Sequence, residues 1–136
     1  MRPQRTLISA ALLVRADRLL LGLRAPHRRS FPNCWDTVGG HLEAGETHEE
    51  ALRRELDEEI GVYPTKFTVV GDYPAQAGSW LRLFKVEAWC GEPRIMNDEH
   101  VDLRWFTADE AVSLRALASP HYATIFRQLR LRAPEA

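Results

Sequence analysis

The stretch from Gly40 to Val62, GHLEAGETHEEALRRELDEEIGV, constrains this chain more than any other. It sets a glycine-led turn before a short acidic helix. Thr47 followed three residues later by Glu50 is a capping box, which predicts a helix over residues 48–60, and Gly61 is the glycine expected just past its last turn. Leu52, Leu56 and Ile60 recur every four residues, so one side of the helix must face a core. Beside that stripe Glu55, Glu58 and Glu59 stand at i, i+3 and i+4 and project outward within one arc of roughly 100°.

Two unit charges about 5 Å apart at an effective dielectric of about 20 repel by roughly 3 kcal/mol, so three neighbouring carboxylates need neutralising. Protonation, pairing with Arg53 or Arg54, and a hard divalent cation with oxygen ligands are three ways to do it. The spacing alone does not choose among them, and a solvated acidic face is the commoner fate of such a run.

The rest of the chain supplies the setting. Its 136 residues are the size of one domain, and 45% hydrophobic with 27% charged residues fits a globular protein. A net charge of −1 leaves no global positive field to draw in nucleic acid polymers or anionic membranes. Cys34 and Cys90 fit neither a disulfide framework nor a CxxC metal site. With no apolar signal segment at the start, free thiols in a reducing cytoplasm are expected. The longest apolar run, near Ile8 to Val14, falls far short of the about 20 residues of a membrane span. The first five residues and the tail after Leu131 read as peripheral.

Leu7 to Arg24 reads as a hairpin turning at Arg15-Ala16-Asp17-Arg18, and APHRRSFPNC after it as an exposed loop. Trp35 to Val38 is expected as a short strand running into Gly39-Gly40, where the chain turns. Beyond the helix, Lys66 to Ala77 and Trp80 to Trp89 form a second hairpin. A loop from Cys90 to His100 and a strand from Leu103 to Phe106 follow. Thr107 caps a brief helix through Ala111, and Pro120 to Leu131 forms a last helix with Tyr122, Ile125, Phe126 and Leu129 on one side. Strands, a helix, strands, then helices describe a mixed α/β layered domain.

Gly40, five residues, Glu46, seven residues, then Arg54-Glu55-Leu56-Asp57-Glu58-Glu59-Ile60-Gly61-Val62 agrees with the Nudix box, GX5EX7REUXEEXGU, at every defined position. The flanks LLLGLR, WDTVGGH and LRWFTADEA agree as well, so from about Leu7 to Ala111 the chain resembles the MutT/Nudix hydrolases. The resemblance implies an α/β/α sandwich around a mixed sheet and hydrolysis of a nucleoside diphosphate linked to another group. It implies that Glu55, Glu58 and Glu59 hold a divalent metal, Mg²⁺ with Mn²⁺ as an alternative, joined by the backbone carbonyl of Gly39 or Gly40. One of the glutamates, foremost Glu55, would also be the base for the attacking water. Arg54 would orient these carboxylates, or pair with Glu50. Glu46 would shape the loop and in some members join the metal, and Glu99, beside Asp98, would be the distant acidic ligand or an ordinary solvated acid of a polar loop. His48 lies two turns before Glu55, as an outer phosphate contact or a surface residue. Phosphates require cations, for which Arg24, foremost, with Arg28 and Arg29 precede the site strand. Phe31, Trp35 and Trp80 are aromatics able to stack a base.

Val38 stands where many nucleotide-cleaning members carry proline. Ala77 and Gly78 lack the proline of ADP-ribose hydrolases, and Gly78-Ser79-Trp80 the tyrosine of dinucleoside-polyphosphate hydrolases. By elimination the resemblance favours a MutT-like nucleoside triphosphate pyrophosphohydrolase, a monomer or homodimer acting on a nucleotide-type small molecule. The alternatives are another Nudix substrate, such as a nucleotide sugar or dinucleoside polyphosphate, an isopentenyl-diphosphate isomerase-like enzyme using Cys34, and a non-catalytic nucleotide sensor.

Overall fold

A computed structural model describes residues 6–129 and residue 131. The first five residues and the stretch after Leu131, expected to be peripheral, lie outside that range. In chain order the elements are β1 (Leu7–Arg15), β2 (Arg18–Arg24), β3 (Trp35–Asp36), β4 (Val38–His41), α1 (His48–Ile60), β5 (Tyr63–Pro74), β6 (Trp80–Cys90), β7 (His100–Thr107), α2 (Ala108–Val112) and α3 (Tyr122–Gln128).

The strands form one mixed sheet in the order β3-β2-β1-β6-β5, with β4 also paired to β1 and β7 to β2. Strand β1 is its axis. It runs parallel to β6 from Leu7 to Leu13, and antiparallel to β4 from Ile8 to Ala11. Its last two residues turn into β2.

Alternation along β1 divides the core. Ala10, Leu12 and Val14 face one way and pack with Leu19, Leu21 and Leu83 against Ala111, Tyr122, Ile125 and Phe126 of α2 and α3. Ala11 and Leu13 face the other way and pack with Val38, Phe84 and Val86 against Leu52, Leu56 and Ile60. The chain is therefore an α/β/α sandwich, with α1 on one face and α2 with α3 on the other. The apolar stripe holds α1 to the sheet, since Leu52, Leu56 and Ile60 are at most 1% exposed and each buried side chain contributes about 1.5–3 kcal/mol.

Three expectations need correction. The double glycine does not turn the chain: Gly39 and Gly40 lie inside β4, and neither has the positive φ of Gly45, Gly61, Gly78 or Gly91. Their smallness serves close approach instead, because a Cβ on Gly39 would overlap the backbone carbonyl oxygen of Ser9. The last helix is shorter than its apolar spacing suggested, spanning Tyr122–Gln128, with Leu129 already extended at φ −69 and ψ 120. Strand β7 is longer than expected because its partner β2 carries the ladder out to His100.

The β1–β2 hairpin stores local strain. Ala16 sits in its turn with φ 54, a region that costs a side chain bearing Cβ roughly 1–2 kcal/mol. Ala16→Asn should raise stability by about 0.5–1 kcal/mol, read as a thermal midpoint higher by about 2–4 °C. An unchanged or lower midpoint would remove strain from this turn.

Candidate active site

Helix α1 is fixed at both ends. The Thr47 hydroxyl accepts from the Glu50 N–H and the Glu50 carboxylate accepts from the Thr47 N–H, completing the capping box. Gly61 closes the other end at φ 69. The last carbonyls of a helix have no partner within it, and here the loop between β6 and β7 supplies two. The Arg94 N–H donates to the Ile60 carbonyl at 3.1 Å and the Met96 N–H to the Glu59 carbonyl at 3.0 Å. The Glu99 carbonyl in turn accepts from the Ala25 N–H at 3.0 Å. The loop is thereby docked onto the C-terminal end of α1, and it brings Glu99 to the helix.

The result is a carboxylate trio. Oxygens of Glu55, Glu59 and Glu99 lie within 4.8 Å of one another. Glu58, expected in the same set, is outside it: its side chain is 54% exposed and its Oε2 lies 3.4 Å from Arg54. The i, i+4 pair points at the sheet edge where β4 leaves room, while the i+3 position falls at the outer rim of the arc. Glu59, expected to face outward, is only 2% exposed.

Burial sets the charges. Desolvation, then hydrogen bonding with Glu99 and the negative charges of Glu99 and Glu55, push the Glu59 carboxyl up to about 10. Glu99 moves the other way, lowered first by that hydrogen bond. Burial thus favours the protonated form of Glu59 beside an ionised Glu99. Glu55 is raised by burial against the opposing pull of Arg54. Of the neutralising routes open to the sequence, salt pairing is in use at Arg54 and Glu55, and burial favours a second, protonation, at Glu59.

Arg54 is the hub of the pairing. Its Nε and Nη2 clamp the Glu46 carboxylate at 2.7 and 2.9 Å, Nη1 reaches Glu55 at 2.8 Å, and Nη2 reaches the His41 carbonyl at 3.1 Å. That clamp holds Glu46 well below the usual carboxylate range. Glu46 also accepts from the Glu43 N–H at 2.8 Å, so Arg54 ties the loop before α1 to the trio. Glu50, the other partner weighed for Arg54, is occupied by the cap.

A cleft of about 500 Å³ opens beside the trio, with Gly39, Gly40, Arg24, Arg28, Phe31 and Tyr73 among its lining. Gly40 lets the two meet: a Cβ there would lie 2.5 Å from Glu55 Oε1. At the cleft's other side Asp36 is largely enclosed, its side chain 17% exposed, and held by three partners. Its Oδ1 accepts from the Tyr122 hydroxyl at 2.5 Å and the Thr37 N–H at 2.8 Å, and its Oδ2 faces Arg24 Nη1 at 3.1 Å. Burial nonetheless raises its pKa. The sequence did not mark Asp36, Tyr73 or His121 as cleft residues, and placed Tyr122 only on the apolar side of the last helix, because they come from three separate segments that only the fold brings together. For Asp36 a weak signal exists in the string WDTVGG, a lone acid between an aromatic and the box glycines.

The arginines and aromatics expected to bind substrate separate in the structure. Arg28 lines the cleft and pairs with Glu99 at 3.5 Å. Arg24 also lines it, but is committed to Asp36 and to the Ser30 carbonyl at 2.8 Å. Arg29 is exposed and does not line the cleft. Trp35 packs edge-to-face on Phe106 at 5.1 Å, with the Arg104 guanidinium 5.8 Å from its ring, and does not line the cleft either. Phe31 does, 39% exposed and held at φ 50. His48 bonds Ser9 Oγ through Nδ1 at 2.8 Å rather than joining the trio.

The donor set suits a hard divalent cation. It is all oxygen, Glu59 Oε2 is buried without a hydrogen-bond partner, and Gly40 keeps the space before Glu55 clear. The fold and the site together define an α/β/α sandwich that carries an all-oxygen donor cluster at the edge of a polar cleft.

The NUDIX domain model matches residues 4–129, and the chain belongs to the Nudix hydrolases. A crystal structure of the MutT NUDIX hydrolase from Burkholderia pseudomallei superposes with a TM-score of 0.79 at 28% identity, over 94% of this chain and 100% of that one. A Mycobacterium tuberculosis protein named "Putative 8-oxo-dGTP diphosphatase 2" is 36% identical over 108 residues, 76% of this chain and 74% of that protein. The NAD-capped RNA hydrolase NudC of Stutzerimonas stutzeri is 33% identical over 128 residues, 91% of this chain. The chain spans under half of that longer protein, 45% of its length.

Proposed function

We propose that this protein is a MutT-like nucleoside triphosphate pyrophosphohydrolase that uses Mg²⁺ and releases a nucleoside monophosphate and pyrophosphate. The observation that carries the reading is the carboxylate trio opening, across Gly40, onto a cleft large enough for a nucleoside. The likeness to the 8-oxo-dGTP diphosphatase relative, matched over most of both chains, supports it. A cytoplasmic setting suits the two free thiols of Cys34 and Cys90. Among the described residues no helix is long and apolar enough to cross a membrane.

Glu55, Glu59 and Glu99 would hold the cation, with Glu58 at the rim able to turn toward it. When bound, the cation lowers the pKa of the attacking water and offsets phosphate charge. Glu55 takes the water's proton, a role suited to a carboxyl that burial makes more basic than an ordinary one. Arg54 holds that carboxylate in one orientation while its fork on Glu46 keeps it from moving. The base lies in the cleft against Phe31 and Tyr73, and the Asp36 carboxylate and Tyr122 hydroxyl offer polar groups to its edge. Arg28 on the cleft wall faces the phosphates.

A second reading follows from NudC, a hydrolase of NAD-capped RNA, whose matching part covers nearly all of this chain. One screen separates the two. Purified protein with Mg²⁺ is offered nucleoside triphosphates, oxidised nucleotides, NAD, nucleotide sugars and dinucleoside polyphosphates. Pyrophosphate release from triphosphates, abolished by chelator, is expected. Turnover of NAD alone would replace the proposal with the second reading, and tight nucleotide binding without turnover would make the protein a sensor.

A further inference from the structure

Two arginines flank the carboxylate trio, and they are held in different ways. Arg54 makes five hydrogen bonds, to Glu46 twice, Glu55, Glu58 and the His41 carbonyl. It cannot leave Glu55 without disturbing the fork on Glu46. Arg28 has one side-chain partner among the described residues, Glu99 at 3.5 Å, against about 2.7–2.9 Å for a well-formed charged hydrogen bond. Its side chain keeps 26% exposure and lines the cleft.

The root of Arg28 is fixed even though its tip is not. The Arg28 N–H donates to the Ala25 carbonyl at 3.2 Å, and the Ala25 N–H donates to the Glu99 carbonyl at 3.0 Å. The side chain therefore pivots from a turn anchored on Glu99 itself, with the carboxylate trio to one side and the cleft to the other. Neither neighbouring arginine can take this place: Arg24 is bound to Asp36 and Ser30, and Arg29 does not line the cleft.

A divalent cation held by the trio would compete with Arg28 for the same Glu99 carboxylate. A guanidinium left unpaired in a half-buried wall is unfavourable, and a phosphate group in the cleft is the anion whose geometry its fork matches. We propose that Arg28 exchanges partners, pairing with Glu99 while the trio holds no cation and with a substrate phosphate once a divalent cation has taken Glu99. The proposal rests on the metal reading given above. Cation and polyphosphate then bind cooperatively through one side chain: Arg28 opposes the cation when it comes alone and favours the phosphate that follows.

The test uses Mn²⁺ and imidodiphosphate, a pyrophosphate analogue with no cleavable bridging oxygen, and needs no turnover. Mn²⁺ affinity is measured alone by calorimetry or electron paramagnetic resonance, then imidodiphosphate affinity at saturating Mn²⁺. The proteins are the native chain, Arg28→Gln and Arg28→Lys. Arg28→Gln should bind Mn²⁺ about threefold tighter, since an ion pair of modest strength no longer competes. It should bind imidodiphosphate at least about tenfold more weakly, having lost a charge-assisted contact. Arg28→Lys, which keeps the charge without the fork, should fall between on both measures, and it carries the test if the glutamine variant does not fold. Opposite signs are the signature, because a merely structural arginine would lower both affinities together. Parallel changes, or none, would overturn the exchange while leaving the metal site in place. Failure of the native chain to bind Mn²⁺ would overturn the metal reading and the exchange with it.

Discussion

Glu59→Gln should lower turnover by roughly a thousandfold, about 4 kcal/mol of transition-state stabilisation, while making the cation-free protein more stable. Both effects come from one carboxyl that is 2% exposed, has an oxygen without a partner and sits beside Glu55 and Glu99. With its pKa held near 10 in the folded state, against about 4.3 in an unfolded chain, the folded protein binds more protons between those values. Cation-free stability should therefore be undiminished below about pH 4.3 and fall as pH rises toward 10. Glutamine resembles the protonated acid and removes that slope. In chelator at neutral pH the gain should be on the order of 2 kcal/mol, visible in melting curves recorded from pH 5 to 9. Glu58→Gln, at the exposed rim, should cost turnover less. A Glu59→Gln protein that keeps its activity, or melts with the native pH slope in chelator, would remove Glu59 from the site.

The double glycine should divide into a folding position and a site position. Gly39→Ala places a Cβ inside the Ser9 carbonyl on the neighbouring strand, where nothing flexible can yield. A loss of about 3 kcal/mol or more is expected, a large part of the 5–15 kcal/mol that holds a domain together. Gly40→Ala meets instead the end of the Glu55 side chain at 2.5 Å. That protein should melt within a few degrees of the native one yet lose about a hundredfold in turnover, because the displaced carboxylate no longer meets its proton. Circular dichroism melts and assays on the pair decide it. A stable, active Gly39→Ala would show that β1 and β4 are less closely packed than described.

Local rules made much of the fold legible. The capping box, the Gly61 cap and the Leu52-Leu56-Ile60 stripe each depend on residues within one or two turns, and α1 begins and ends where they place it. The hairpin at Ala16-Asp17 and the pairing of the long strands β5 and β6 follow from alternation in the same way. The Nudix box was legible because its residues share one helix and the loop before it.

Membership of the carboxylate trio was only partly legible. Spacing put Glu55, Glu58 and Glu59 in one arc, but helix geometry does not say which part of that arc meets the sheet edge. Packing selected Glu55 and Glu59, and the backbone bonds of Arg94 and Met96 to the end of α1 brought Glu99 from forty residues away. Asp36 and Tyr122 met for the same reason, through contacts that no local pattern encodes.

The stretch from Gly40 to Val62 thus determined by itself the helix, its buried face, the acidic arc and, through resemblance, the family. The tertiary structure decided which carboxylates converge, that Arg54 is bound on several sides while Arg28 pairs with Glu99 alone among the described residues, and why both glycines must be small. Helix and cap energetics are short-ranged and therefore written in neighbouring residues. Burial, which sets the charge on Glu59, and close approach across strands depend on atoms that only folding brings into contact.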